Sequence, residues 1–300
     1  MKNAITLLRV LLTIVRHPLN RNRKLQALLG FTKWQVSSRL APDGVVFKWI
    51  HDARLVVRRG DTGLTGNIYC GLQDFEDMSF MLHLLRPSDV FIDVGANLGS
   101  WTILGGKVCG ASVYAFEPVP LTYRRLRDNV LINDLDGKVE TSNCALGEAS
   151  GELGFTSELD TMNHALSDSD IETDGIIVPV ETMDRVLGCA SPALIKIDVE
   201  GFELAVLKGS HELLRSRAPL AVILELNGSG RRYGHGDSAL VNFMRELGFN
   251  PFRYEPASRA LTPLERPGGF GKNTIFIKDV HAVQDRLTRA PRFRIGKQSF

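Results

Sequence analysis

The segment Val90-Phe91-Ile92-Asp93-Val94-Gly95-Ala96-Asn97-Leu98-Gly99 limits the folds open to this chain more than any other. Its apolar run reads as a buried parallel strand. The run closes on an acid, turns through Gly-x-x-x-Gly and enters a helix. A second run, Ser112-Val113-Tyr114-Ala115-Phe116, closes on Glu117-Pro118. Glycines allow a sharp turn and close approach to a ligand. An acid roughly 20 residues beyond such a turn suits the two hydroxyls of a ribose. Together the two motifs predict a site for an adenosine-containing cofactor.

The residues between the glycines narrow that cofactor. A dinucleotide fingerprint needs Gly-x-Gly-x-x-Gly to seat a pyrophosphate, and position 97 is Asn. No Gly-Lys-Ser/Thr follows, so a P-loop is not predicted. Asp93 would repel a phosphate and attract an ammonium group. S-adenosyl-L-methionine has a ribose, no phosphate and a cationic methionine end, and it is the cofactor these residues favour. An NAD-dependent oxidoreductase is disfavoured on the same grounds. A non-catalytic adaptor is disfavoured because the acids at the strand ends are all present.

From residue 89 the pattern alternates. Strands are expected at 90–94, 112–117, 138–143, 193–198 and 219–226, and helices near 98–108, 120–132, 201–216 and 238–247. Such alternation predicts a parallel sheet with helices on both faces, with ligands bound beyond the carboxyl ends of the strands. Those ends are Asp93, Glu117, Asn143, Asp198 and Glu225. Residues 147–180 interrupt the alternation, with short strands expected at 151–155 and 176–180. The last two strands, 249–254 and 273–278, are expected to form an antiparallel hairpin. Before the alternation, residues 25–40 and 75–85 read as helices, 45–50 and 53–58 as a hairpin, and 60–67 as loop. The domain reading is an N-terminal extension over 1–60, a catalytic domain over 61–281 and a basic tail over 282–300, partly disordered after Ala282.

The net charge of +2 points to no nucleic-acid partner, although the first sixty residues are strongly basic. Cys70, Cys109, Cys144 and Cys189 are isolated, which indicates neither zinc nor a disulfide framework and fits a reducing, cytoplasmic compartment. Ala4–Val15 is too short and too interrupted by Arg9 to span a bilayer or to act as a signal peptide. Ile5, Leu8, Leu12 and Val15 form one apolar stripe. It is expected to dock on the protein itself or on a partner in a homodimer, with peripheral membrane contact as the alternative.

Several further motifs, taken with the first two, resemble the FkbM-type S-adenosylmethionine-dependent methyltransferases. They are Asn129-Val130-Leu131-Ile132-Asn133, Ala145-Leu146-Gly147 with Gly151, Thr182-Met183-Asp184, and Ile195-Lys196-Ile197-Asp198-Val199-Glu200-Gly201-Phe202-Glu203. The resemblance covers roughly residues 60 to 230 in order, and its last block is the most family-specific. It implies a Rossmann-like class I methyltransferase fold, here a mostly parallel seven-stranded sheet with a helical and hairpin N-terminal extension. It also implies O-methylation of a hydroxyl on a sugar, glycan or other natural product, with methylation of nucleic acid as the alternative. Carried over to this chain, Asp93, Gly95, Ala96, Asn97 and Gly99 would surround the methionine part and ribose. Glu117 and Pro118 would hold the ribose, Asn143 and Ala145 would lie near the adenine, and Asp198 would face the methyl-donor end.

A hydroxyl acceptor needs a base as its proton leaves. His164, Asp198 and Glu200 are the catalytic candidates, with Glu225 a further acid at a strand end. The acids show no dedicated metal spacing, and no metal is expected. Tyr69 and Glu76 precede the first motif and either cover the cofactor or pack their own helix.

Overall fold

The fold is that of a computed structural model, which describes residues 2–157, 159, 162–167, 175–188, 190–216, 219–268, 273–296 and 298–300. Helices α1 (Lys2–Arg16) and α2 (Lys24–Leu40) precede a hairpin of β1 (Val45–Lys48) and β2 (Arg54–Val57). Next come α3 (Thr62–Cys70) and α4 (Phe75–Leu84), then β3 (Val90–Val94), α5 (Ser100–Ile103), β4 (Ser112–Phe116), α6 (Pro120–Leu131) and β5 (Val139–Ser142). The insertion holds β6 (Ala145–Leu146), β7 (Gly151–Phe155) and β8 (Ile176–Glu181) in a small separate sheet. The chain continues through α7 (Met183–Val186), β9 (Leu194–Ile197), α8 (Glu203–Lys208), α9 (His211–Ser216), β10 (Ala221–Glu225) and α10 (Asp237–Glu246). It ends with β11 (Asn250–Glu255), β12 (Ala260–Pro263), β13 (Asn273–Ile277), α11 (Val280–Arg289), β14 (Arg294–Ile295) and β15 (Gln298–Ser299).

The main sheet has the order β12-β11-β13-β10-β9-β3-β4-β5. The five strands from β10 to β5 are parallel, and β13 runs antiparallel between β10 and β11. Successive residues of a strand point to opposite faces. Phe91, Val113, Ile223 and Ile275 fill the core on one face; Ile92, Ile195, Val222 and Phe276 fill the core on the other. Burial on both faces is why these strands read as unbroken apolar runs. The order reverses between β3 and β9, so the ends of these two strands frame the ligand crevice.

The structure departs from the sequence reading in several places. The sheet has eight strands, the extra one being β12, which forms a hairpin with β11. Strands 250–255 and 273–277 do pair antiparallel, but β13 is wedged between β10 and β11 and is not the hairpin partner of β11. The expected helix 201–216 breaks between α8 and α9, because Gly209 lies against the Gly147 carbonyl, which a Cβ would approach to 1.9 Å. Residues 62–70 are helical despite their glycines. Leu64, Asn67 and Cys70 are buried there, and packing outweighs weak propensity. The tail is folded: Arg286 pairs with Asp89 at 2.6 Å, and Leu287 and Phe300 join the core. Helix α1 packs through Ile14, leaving Leu8 and Leu12 of its predicted stripe exposed. Cys70, Cys109 and Cys144 are free and buried, and burial raises all three thiols far above their ordinary value.

Candidate active site

The glycine turn after β3 is shaped by close approach. Gly95 has φ +78°, and a Cβ there would stand 2.0 Å from the Asp198 carbonyl. Its N–H and that of Ala96 both donate to the Phe116 carbonyl, at 3.0 and 2.9 Å, which ties the turn to the end of β4. Asn97 is left-handed at φ +51°, and its Oδ1 accepts the Leu98 N–H at 2.7 Å. Asparagine tolerates that conformation because its side chain closes such a local bond. Gly99, at φ +91°, packs on Leu126.

Glu117 faces this turn. Its Oε2 accepts the Asn97 N–H and its Oε1 the Val119 N–H, each at 3.0 Å. Burial pushes its carboxyl up to about 7, against the pull of those two donors. An ionised carboxylate offers about four acceptor sites, so two remain for the hydroxyls of a ribose. Asn143 donates to the Glu117 and Pro118 carbonyls, both at 2.9 Å. It fixes the backbone that carries the acid. Ala145 lines a narrow apolar recess with Pro118, Phe155, Val199 and Phe202, an environment suited to a flat heterocycle.

The other half of the crevice carries charge. Lys196 is buried in the otherwise apolar strand β9, level with Asp93 of β3. Two residues on, and so on the same face, Asp198 meets its ammonium at 2.7 Å. Burial opposes ionisation of both partners, but their attraction outweighs it: Lys196 is raised and Asp198 lowered from their ordinary values. Oxygens of Asp198, Glu200 and Glu225 lie within 4.8 Å of one another, the single group of potential metal ligands of this kind among the described residues. Burial, then repulsion from Asp198, pushes Glu200 up to about 7. Burial, then Asp198 and Glu200, raises Glu225 further. Glu200 is held at φ +54° by its neighbours. Glu203, itself buried, accepts the N–H groups of Val199 and Gly201, and Arg232 donates to the Glu200 carbonyl. Such strain persists only where the surroundings impose it.

A cleft of about 340 Å³ joins the two halves. Gly95, Ala96, Asn97, Glu117, Pro118, Asp198 and Glu200 of the expected set line it. Asp93 does not. It is fully buried behind the turn, its Oδ2 accepting the Thr102 hydroxyl at 2.6 Å, so its expected contact with an ammonium group is corrected to support of the turn and of Lys196. Gly99 shapes the turn from below. His164 also stands off the cleft lining: the ring is buried in the insertion, with Nδ1 2.8 Å from the Met162 carbonyl. Tyr69 packs on Phe31 with the rings tilted by 60°, and Glu76 is exposed on α4. The lining residues not assigned from sequence include three polar ones, Lys196, Asp74 and Asn273. A lysine inside a four-residue apolar strand was a readable signal, because a buried ammonium demands a partner. Asp74 and Asn273 reach the cleft only through tertiary folding.

The turn without a third fingerprint glycine, the acceptor sites left on Glu117 and the apolar recess fit adenosine bearing a methionine end and no phosphate. With this strand order they define a Rossmann-like, S-adenosylmethionine-dependent methyltransferase. The chain belongs to the FkbM methyltransferase family: the model described as Methyltransferase FkbM domain matches residues 93–251, more than half of its length. It is 29% identical over 193 residues to the 31-O-demethyl-FK506 methyltransferase FkbM of Streptomyces tacrolimicus, covering 52% of this chain and 74% of that one. It is 33% identical over 138 residues to the hexuronic acid methyltransferase AglP of Haloferax volcanii, covering 45% and 56%. A solved FkbM methyltransferase from Methylobacillus flagellatus KT matches 64% of this chain and 44% of its own, at 18% identity and a TM-score of 0.43.

Proposed function

We propose that this methyltransferase acts on a hydroxyl oxygen of a sugar, glycan or other natural product. The observation that carries the reading is the carboxylate group of Asp198, Glu200 and Glu225 at the ends of β9 and β10, beside Lys196 and in the same cleft as Gly95 and Glu117. S-adenosylmethionine supplies a methyl group activated on a sulfonium. The chain's own residues align the acceptor oxygen and receive its proton. Alignment is worth several kcal/mol where it places reacting atoms at near-contact distance.

Neighbouring acids whose proton affinities are pushed apart can divide acid and base roles. Asp198 is kept ionised by Lys196, Glu225 is kept protonated by burial and its neighbours, and Glu200 lies between them near neutrality. The group takes up one proton near neutral pH, and that proton is the acceptor's. Asp74, Glu117, Asp198, Glu200 and Glu225 all face the cleft, which disfavours a polyanionic acceptor such as nucleic acid. A neutral polyol fits better. The names of the two relatives place methylation on an FK506 oxygen in one and on a hexuronic acid in the other.

The test is transfer of labelled methyl from S-adenosylmethionine into a panel of neutral sugars, glycolipids and polyketide alcohols. Formation of a methyl ether that Glu200→Gln and Glu225→Gln both suppress is the expected result. Label found on nitrogen or carbon, or on RNA in preference to every alcohol, refutes the reading.

A further inference from the structure

We infer that α1 and α2 form a docking face for an anionic lipid surface. The main observation lies on α2. Leu25, Leu29, Val36 and Leu40 are between 55% and 80% exposed. At 3.6 residues per turn they fall within about 60° of arc. Ala27, Trp34 and Ser38, on the opposite side, are buried. The helix is therefore apolar on two sides: one packs on the protein, and the other is an uncovered stripe along most of its length. Exposed apolar residues scattered singly need no explanation, whereas a contiguous stripe marks an interaction site. On α1, which packs beside α2, Leu8 and Leu12 stand exposed one turn apart.

Charge selects the partner. Residues 1–42 contain eight Lys and Arg and not one Asp or Glu. Lys33 and Arg39 are exposed on either side of the α2 stripe, and Arg9 and Arg16 are exposed beside Leu8 and Leu12. Apolar side chains bordered by cations match the boundary between acyl chains and anionic headgroups. A symmetric pairing of two copies through this face would set one acid-free basic surface against another. A nucleic acid would engage the cations and leave the leucines wet. The helix that carries the stripe backs onto the wall of the cleft: α3, which contributes Thr62 and Leu64 to the lining, packs on the inner side of α2 with the Tyr69 ring 5.2 Å from that of Phe31.

The experiment is co-sedimentation of the full chain with vesicles of phosphatidylcholine alone and with roughly one third phosphatidylglycerol. Binding to the anionic vesicles only, weakened by salt, is expected. The double variant Leu29→Glu/Val36→Glu should bind at least tenfold more weakly, because two anchors are lost and like charge is added. Lys33→Glu/Arg39→Glu should weaken binding without touching the stripe. Both pairs are exposed, so unchanged S-adenosylmethionine affinity and melting temperature serve as the folding controls. Absence of binding to anionic vesicles, equal binding by Leu29→Glu/Val36→Glu, or a concentration-dependent dimer that this variant dissolves in the absence of lipid binding would each overturn the inference.

Discussion

Replacing Lys196 with Met tests the electrostatics of the cleft directly. Lys196 is 2% exposed and bonds Asp198 at 2.7 Å while lying level with the fully buried Asp93. Methionine keeps the volume and removes the charge. Removing one partner of a fully buried ion pair costs about 3–5 kcal/mol, because the other charge is left uncompensated. The Asp198 side chain is 34% exposed toward the cleft, so water recovers part of that cost and a loss of roughly 2–4 kcal/mol is expected. Against a total stability of about 5–15 kcal/mol this is large, and it should lower the melting temperature by roughly 3–6 °C. The pH dependence follows from the two shifts. The folded value of Lys196 is raised, so its contribution is complete below the unfolded lysine value near 10.4 and is lost as pH rises through the folded one. The folded value of Asp198 is lowered, so its contribution is present above about 4 and is lost as pH falls through the folded value. The deficit of the variant should therefore be fullest between about pH 5 and 9 and shrink at either extreme. Urea melts of both proteins across that range measure it. A deficit below about 1 kcal/mol at pH 7, or one independent of pH, refutes the claim that Lys196 carries the cluster.

Glu117→Ala removes a charged acceptor and strands the Asn97 and Val119 N–H groups; calorimetry should show S-adenosylmethionine binding weaker by about 1–3 kcal/mol. Turnover should rise as the Glu200 carboxyl, pushed up to about 7, loses its proton. Arg232→Met should shift that limb to higher pH by removing a cation that holds the Glu200 carboxyl down, and a pH–rate profile unmoved by the substitution would argue against Glu200 as its source. His164→Ala should retain near-normal turnover at saturating substrate, since the ring stands off the cleft, and a loss beyond about a hundredfold would restore it as a base. Gly95→Ala would place a methyl 2.0 Å from the Asp198 carbonyl; it should abolish cofactor binding or soluble expression, as checked by equilibrium dialysis and yield.

The cofactor half of the site was legible in the sequence and the acceptor half only partly, for a physical reason. A backbone that turns through φ +78° against the Asp198 carbonyl and through φ +91° against the Leu126 side chain needs glycine at those points, so Gly95 and Gly99 record the geometry in the residue type itself. Strand ends are likewise readable, because the apolar run stops where the chain leaves the core, and Glu117, Asp198 and Glu225 all stand at or just beyond such stops. Asp93 obeys the same local rule yet lies behind the turn: it is level with Lys196, but its Oδ2 is taken by the Thr102 hydroxyl of α5 and the side chain is fully buried. His164 offers an imidazole by residue type, but its role depends on burial inside an insertion whose packing no local pattern encodes. Asp74 comes to the cleft from the loop before α4, brought there by helices outside the alternating pattern. Helix α2 shows the converse. Apolar residues on two sides cancel its periodicity, so the stripe that faces solvent becomes visible only once Trp34 and Ala27 are seen to occupy the other side. Periodicity reports how many faces a helix has to bury; only the fold shows which of them is left without a partner.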